Sequence, residues 1–164
     1  MEYPVNVMSE LRFRKMVKAD LPVITKIEND CQSHPWKLLQ FLDGFNAGHD
    51  CWIASKEYEQ REILVGFSVV ATAIDESTLL NICVRPAFQN KGIGRKLLGF
   101  LLQKVRMEEI NKYFLEVRAS NHSAIHLYES LGFEQISVRR DYYPALIGRE
   151  DGLVYSYPSL SEFA

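Results

Sequence analysis

The run Gln89-Asn90-Lys91-Gly92-Ile93-Gly94-Arg95 decides the fold, because it joins a predicted strand to a predicted helix. Glycines in such a turn let the backbone curl around an anion, and the helix dipole adds positive potential together with Lys91 and Arg95. A dinucleotide fingerprint would need a small residue in place of Leu97, and a Walker loop would need a longer gap between its glycines than the single Ile93. The spacing that fits is Q-x-x-G-x-G, and an ordinary strand-to-helix turn with two glycines remains the alternative.

Alternating and helical patterns of apolar residues predict the elements around this run. The predicted order is a strand at 11–16, helices from 20 and at 37–45, strands at 51–56, 63–74 and 78–84, a helix from 92, a strand at 113–117, a helix at 121–131, and strands at 133–138 and 152–157. Asp20 is expected to cap the first helix. Because strand, helix and strand follow one another over residues 78–117, a parallel crossover is required. We therefore predict an α/β (α+β) fold with a single mixed, mostly antiparallel sheet that contains a parallel pair and is flanked by helices.

Length and composition limit the class of protein. The chain has 164 residues, of which 47% are hydrophobic and 12% aromatic, as expected for one folded domain. We expect an N-terminal extension at 1–10, a domain at 11–158 and a C-terminal tail at 159–164. A net charge of −2 disfavours nucleic acid as the primary ligand, although a local anion site fits the basic residues near the glycine loop.

Cysteine usage and hydropathy indicate the compartment. Cys31, Cys51 and Cys83 are an odd number at wide spacing without C-x-x-C, which argues against a disulfide framework and a cysteine zinc site. The longest nearly apolar run, residues 65–74, is shorter than the roughly 20 residues of a membrane helix, and the start of the chain lacks the pattern of a secretory signal. We expect a cytoplasmic protein without a membrane partner.

A second segment, FLEVRASNHSAIHLYESLGF at residues 114–133, also passes from a strand to a helix. With Q-x-x-G-x-G it resembles the acetyl-CoA-binding region of the GNAT superfamily of N-acetyltransferases. The superfamily pattern N-x-x-A-x-x-x-Y-x-x-x-G-F is filled by Asn121, Ala124, Tyr128, Gly132 and Phe133. The runs HPW at 34–36, RRDYYP at 139–144 and RED at 149–151 are similar to the RimI-type ribosomal-protein alanine N-acetyltransferases, so the resemblance spans residues 11–157.

The resemblance implies a fold, a co-substrate and an acceptor. The fold would be that of GNAT enzymes, with the parallel pair at the acetyl-CoA site. The acetyl group of acetyl-CoA would move directly, in a ternary complex, to the N-terminal alanine of small-subunit ribosomal protein eighteen. The implied acetyl-CoA contacts are Ile82, Cys83, Val84, Gln89, Asn90, Lys91, Gly92, Ile93, Gly94, Arg95 and Asn121. From the residues alone, 82–84 would be a buried strand segment and Asn121 a helix cap.

Two side chains are the candidate base and acid. An α-amino group has a pKa of about 8, against about 10.4 for lysine, so an N-terminal amine needs less help from a base. The resemblance implies that Glu116 is the general base, acting through water, and that Tyr128 is the general acid for the leaving thiolate. An exposed carboxylate at a strand end and a tyrosine packed in the core remain the alternatives.

Aromatic residues in two predicted loops are candidates for the acceptor side. Exposed aromatics such as Trp36, Tyr142 and Tyr143 are typical of a peptide-binding wall, but they also anchor loops to a core, and both interpretations stay open. If the RimI-type resemblance holds, they recognise a protein N-terminus that begins with alanine. Glu150 and Asp151 would then favour a basic peptide.

Other chemistries find less support. Cys83 suggests an acetyl-cysteine route, but it has no base beside it on its strand, so a small buried hydrophobe is favoured. His122 and His126 have the spacing of a zincin pair, yet Ser123 stands where a zincin has Glu, and we expect no metal. Two further functions stay open: a small-molecule amine acetyltransferase, and a non-catalytic acyl-CoA-binding module, against which Glu116 and Tyr128 both count.

Overall fold

The computed structural model describes residues 9–108 and 110–157. Within them the strands are β1 (Arg12–Lys15), β2 (Asp50–Tyr58), β3 (Arg61–Ala73), β4 (Glu76–Val84), β5 (Lys112–Arg118), β6 (Glu134–Pro144) and β7 (Arg149–Tyr157). The α-helices are α1 (Leu21–Cys31), α2 (Leu38–Asn46), α3 (Ile93–Met107) and α4 (His122–Ser130). This is the predicted order of elements. The predicted tail at 159–164 and residues 1–8 of the predicted extension lie outside the described residues.

The strands form one mixed sheet in the order β1-β2-β3-β4-β5-β7-β6. Strand β1 pairs antiparallel with β2, β2 with β3, β5 with β7, and β6 with β7. Strand β4 pairs with β5 in parallel, from Glu76 opposite Lys112 to Leu79 opposite Leu115. The predicted mixed sheet with a parallel pair is confirmed, and residues 82–84 of β4 lie beyond the last pair of the parallel ladder.

The chain divides into two compact units. Of the described residues, the first comprises 9–71 and 81–100, and the second comprises 72–80, 101–108 and 110–157. Strand β4 and helix α3 each contribute residues to both units. No helix in the described part of the chain combines the length and apolarity that a membrane crossing requires.

Buried side chains of the first unit form two clusters. One contains the apolar stripe of α1 with Phe41, Ile53, Phe67 and Cys83. The other contains Ala54, Val65, Phe88, Ile93 and Leu97, with Ile82 and Val84 packed against it. Because successive side chains of a strand point to opposite faces, Cys83 packs in one cluster and its neighbours in the other.

The second unit shows the same alternation in β5. Tyr113, Leu115 and Val117 are buried, whereas Glu116 and Arg118 are half-buried on the opposite face. Just before β6, the ring centroid of Phe133 lies 6.1 Å from that of Tyr113, 5.9 Å from that of Tyr128 and 5.3 Å from that of Tyr157. This aromatic cluster fixes the end of α4 against the strands of its unit.

Two predictions of local structure are wrong. Asp20 does not cap α1 with its side chain; its carboxylate instead accepts bonds from Arg14 at 2.9 Å and from the N–H of Val17 at 2.8 Å. The hydrogen bonds from Arg14 lower the pKa of Asp20. Strand β6 continues past the predicted end at Val138 to Pro144. A bulge between Arg139 and Tyr143, with Asp141 at φ 50°, shifts the register and lets the pairing with β7 resume.

Candidate active site

The glycine loop of the first unit turns sharply just before helix α3. Asn90 and Gly92 have φ values of 60° and 80°, so the chain passes twice through the left-handed region. A Cβ on Gly92 would meet nothing within 4 Å, which leaves open space above the loop. Helix α3 begins at Ile93, whose buried side chain anchors the loop, while Lys91 and Arg95 are exposed. Backbone N–H groups at a helix start beside exposed cations suit a pyrophosphate.

Gln89 supports the loop from within. Its Nε2 donates to the carbonyl oxygen of Val84 at 2.9 Å, across the 3₁₀ turn Pro86–Phe88. Phe88 is fully buried and ties the same turn to the core. The side chain of Gln89 therefore closes the turn, and a direct contact between Gln89 and the co-substrate stays a prediction.

The strand segment at 82–84 is held by thiol contacts. Sγ of Cys31 donates to the carbonyl oxygen of Val84 at 3.1 Å, and Sγ of Cys83 donates to Oε2 of Glu28 at 3.2 Å. The neighbouring thiol of Cys31, burial and the charge of Glu28 all raise the pKa of Cys83. A thiol that keeps its proton is a poor nucleophile, so Cys83 has the properties of a packed core residue.

Glu28 is a residue that the sequence analysis did not identify. It lies on α1 at the spacing of the apolar stripe, one residue after Ile27 and four after Ile24, and it is buried. A carboxylate on the buried face of a helix is unusual, so the position of Glu28 within the apolar pattern of α1 is the sequence signal that identifies it.

Trp36 anchors the connection between α1 and α2. It is half-buried and packs against the α1 cluster, with its ring 5.3 Å from that of Phe41. Its backbone N–H donates to Oε1 of Glu28 at 3.0 Å. Of the two interpretations left open for this aromatic, the anchoring one is observed, and a contact with a peptide stays a prediction.

Glu116 in the second unit carries a partner that the sequence analysis did not assign. Its Oε1 lies 2.8 Å from Nε of Arg139, and the two side chains are 26% and 53% exposed. The residues face each other across β7, because Glu116 pairs with Val154 and Arg139 with Gly152. The candidate base is thus a half-buried, ion-paired carboxylate on the polar face of β5.

Tyr142 and Tyr143 lie in strand β6 and not in a loop, which corrects the sequence-based prediction. Their rings are 4.9 Å apart and nearly perpendicular. The guanidinium of Arg118 lies 4.5 Å from the ring of Tyr143, and that of Arg139 lies 5.3 Å from the ring of Tyr142. Burial, with the charge of Glu116, raises the pKa of Tyr143 to about 12.

The β6 bulge is held by residues of β7. The N–H of Asp141 donates to Oδ1 of Asp151 at 2.9 Å, and Arg149 donates to the carbonyl oxygens of Asp141 and Tyr142 at 2.7 and 2.8 Å. Glu150 pairs with Arg118 at 2.9 Å, and Asp151 lies 3.6 Å from Arg140. Both carboxylates that were expected to attract a basic peptide therefore already have an arginine partner, and their contacts shape the hairpin.

Asn121 and Tyr128 belong to α4. Oδ1 of Asn121 accepts a bond from the N–H of Ala124 at 3.2 Å, so the predicted cap is confirmed. Tyr128 is buried, and its ring contacts Phe133. The structure thus groups 82–84 with 89–95 in the first unit, and Glu116, Asn121, Tyr128, Tyr142 and Tyr143 in the second.

The chain is similar to known proteins in both sequence and structure. It is 38% identical over 139 residues to the [ribosomal protein bS18]-alanine N-acetyltransferase of Escherichia coli (strain K12), covering 85% of this chain and 91% of that protein. It is 34% identical to the protein of the same name from Haemophilus ducreyi (strain 35000HP / ATCC 700724), over 85% of this chain and 93% of that one. The crystal structure of the ribosomal-protein-S18-alanine N-acetyltransferase from Escherichia coli superposes with a TM-score of 0.83 at 33% identity, covering 90% of this chain and 92% of that chain.

The family assignment agrees with the motifs and with the fold. The model of the acetyltransferase (GNAT) family matches residues 20–133, which include the glycine loop, the parallel pair of strands and helix α4. The mixed sheet and the residue patterns point to the same group of acyltransferases. The chain belongs to the GNAT family of acetyltransferases.

Proposed function

We propose that the chain transfers the acetyl group of acetyl-CoA to the N-terminal alanine of ribosomal protein bS18. The observation that carries the proposal is the 38% identity, over 85% of the chain, with the Escherichia coli enzyme of that name. We place the reaction in the cytoplasm, where three free thiols remain reduced.

Acetyl-CoA, as co-substrate, supplies an activated thioester. In the proposed complex, the loop at 89–95 holds the pyrophosphate with its backbone N–H groups and with the charges of Lys91 and Arg95. The backbone of 82–84 lies beyond the parallel ladder, so the ladder does not use its polar groups on that edge. The carbonyl oxygen of Val84 accepts from Gln89 and Cys31, and the other groups of the segment serve the pantetheine arm and the thioester carbonyl. Asn121 caps α4 and contacts the pantetheine region.

Glu116 accepts the proton of the acceptor amine through a water molecule. Its ion pair with Arg139 holds the carboxylate in one orientation, which a base that acts through water requires. The neutral amine attacks the carbonyl carbon, a C–N bond forms and the C–S bond breaks. Tyr128 gives its proton to the departing thiolate, and the proton that the new amide nitrogen loses is returned through solvent to Tyr128. Burial of Tyr128 limits its rotation and so favours a fixed direction of transfer.

Trp36, Tyr142 and Tyr143 form the acceptor side in this proposal. Tyr142 is the most exposed of the three, at 43%, and offers its ring to a peptide. Tyr143 is held under Arg118 and supports the ring of Tyr142. Aromatic side chains with few rotatable bonds suit recognition of a short terminal segment.

The test uses two peptides and one product analysis. One peptide has a free N-terminal alanine and no lysine, and the other is blocked at its N-terminus and carries an internal lysine. The protein is incubated with acetyl-CoA and each peptide, and fragmentation mass spectrometry locates the acetyl group. We expect acetylation of the α-amine in the first peptide only; modification of the lysine alone would exclude the proposed function.

A further inference from the structure

A buried carboxylate of the first unit has no part in the chemistry proposed above. Glu28 on α1 is 1% exposed. Its Oε1 accepts a bond from the backbone N–H of Trp36 at 3.0 Å. Its Oε2 accepts bonds from Nδ2 of Asn81 at 3.0 Å and from Sγ of Cys83 at 3.2 Å. One side chain therefore joins α1 to the segment that follows it and to strand β4.

The three donors require a group that only accepts. An ionised carboxylate has two acceptor oxygens and no proton to place, whereas the amide of glutamine would turn an N–H toward one of the donors. Burying a carboxylate among neutral donors costs stability, and a core selected for stability alone would carry an apolar side chain, as at Ile24 and Ile27 on the same helix. The carboxylate is therefore explained by the three hydrogen bonds that it accepts in a fixed geometry, and not by a gain in stability.

The two segments tied by Glu28 have different tasks in the proposed reaction. Trp36 belongs to the acceptor side, and β4 binds the acetyl donor. Asn81 and Cys83 point toward α1, while Ile82 and Val84 pack in the opposite cluster, so the carboxylate holds β4 from one face. A displacement of either segment breaks or strains bonds to the same two oxygen atoms.

We propose that Glu28 is a positioning residue that fixes the Trp36 segment against β4 and thereby sets the acceptor amine relative to the thioester. This inference rests on the proposed function. It gives a reaction role to a helix position that touches neither substrate. Misplacement of reacting groups by about 1 Å lowers rates by about 100-fold, so small changes in this tie have measurable effects.

The first experiment compares Glu28→Gln with Asp30→Asn. Both variants replace a carboxyl group of α1 by the matching amide, but Asp30 is exposed. At a temperature where circular dichroism shows both folded, we expect Glu28→Gln to lower kcat/KM for the alanine peptide by about 100-fold. We expect the Kd of acetyl-CoA, measured by calorimetry, to be unchanged, and Asp30→Asn to behave as wild type. A lower melting temperature with normal kcat/KM would mean a structural role only and would overturn the inference.

A second variant keeps the inference testable if Glu28→Gln does not fold. Asn81→Ala removes one donor and leaves the carboxylate and the Trp36 N–H in place. We expect the same direction of change in kcat/KM, and no further loss in the double variant, because the two residues act as one unit. Full additivity, or normal kcat/KM in Asn81→Ala, would contradict the proposal.

Hydrogen exchange gives a readout that does not depend on turnover. The N–H of Trp36 is bonded to a buried oxygen, so its exchange is expected to be slow in the wild type and faster in Glu28→Gln. Unchanged exchange would overturn the proposed tie. If the wild type acetylates no N-terminal peptide, the proposed function fails and the inference with it; normal wild-type turnover with unaffected variants overturns the inference alone.

Discussion

Oε1 of Glu116 and Nε of Arg139 lie 2.8 Å apart, in a unit where Arg139 also stacks on the ring of Tyr142. The carboxylate proposed as the base and an aromatic residue proposed for the acceptor side therefore share one guanidinium. Because arginine donates from a rigid planar fork, its position couples the two neighbours. Changes at Glu116 are expected to affect both turnover and the acceptor side.

Replacement of Glu116 tests the base. We expect Glu116→Gln to lower kcat by about 10²- to 10⁴-fold, the usual contribution of a positioned general base, with an unchanged Kd for acetyl-CoA. Glu134→Gln is the matched control, since Glu134 is an exposed carboxylate in the same unit. Steady-state kinetics and calorimetry give the two constants, and near-normal kcat in Glu116→Gln would remove the assigned role.

Replacement of Tyr128 tests the acid. Tyr128→Phe keeps the ring that packs on Phe133 and removes only the hydroxyl group. We expect kcat to fall by about 10²-fold or more while acetyl-CoA still binds. Tyr113→Phe, at another buried tyrosine of the same aromatic cluster, is the comparison for loss of a hydroxyl without loss of chemistry. Equal kcat values for the two variants would contradict the assignment.

Replacement of Gly92 tests the loop. An alanine at φ 80° costs about 1–2 kcal/mol in the left-handed region. Gly48 has φ 79° and, like Gly92, has nothing within 4 Å of an added Cβ, so Gly48→Ala carries the same backbone cost outside the glycine loop. We expect both variants to lose similar stability in urea unfolding, but only Gly92→Ala to weaken acetyl-CoA binding. If Gly92→Ala and Gly48→Ala bind acetyl-CoA with equal affinity, the loop does not bind the co-substrate.

Replacement of Gly152 tests the aromatic pair. A Cβ there would lie 3.0 Å from the ring of Tyr143 and 3.1 Å from that of Tyr142, so both rings would have to move. Overpacking of this kind costs about 1–3 kcal/mol, and we expect the peptide KM to rise as well. Gly99 on α3 has nothing within 4 Å of an added Cβ, and Gly99→Ala should be neutral or stabilising. An unchanged peptide KM in a destabilised Gly152→Ala would argue against Tyr142 and Tyr143 as acceptor contacts.

Alkaline pH tests the environment of Tyr143. Burial and the charge of Glu116 raise its pKa to about 12, above the ordinary value of about 10. Between these values the unfolded chain has lost the proton that the folded protein keeps, so the free energy of unfolding falls as the pH rises. We expect urea unfolding at pH 9, 10 and 11 to show this decline, and Tyr143→Phe to reduce its slope. An identical slope in the variant would show that Tyr143 titrates normally.

The sequence allowed the elements around the parallel pair to be predicted, because their signals are local. The glycines at 92 and 94 mark the turn between a strand and a helix, and Asn121 caps the helix that it precedes. The alternation of β5 separates Leu115 from Glu116 without reference to any other segment. Where one or two neighbours determine a conformation, single residues are sufficient to predict it.

The wrong predictions concern bonds between residues of different secondary-structure elements. Asp20 occupies the N-cap position of α1, but its side chain is bonded to Arg14 on β1, and the β6 bulge at Asp141 depends on Asp151 and Arg149 of the next strand. The carboxylate of Glu28 finds donors 53 and 55 residues away in Asn81 and Cys83. No local pattern encodes these partners, since they depend on how the sheet is assembled.

The short parallel ladder between β4 and β5 has a consequence for the order of folding. The pairs β2 with β3 and β6 with β7 join neighbours in the chain, and a short turn closes each of them. Strand β5 can meet β4 only after the chain has passed through α3, so its pairing carries a larger loop-closure entropy and only four residue pairs offset it. The antiparallel hairpins are expected to form early, and the crossover through α3 is expected to set the rate at which the native sheet is completed.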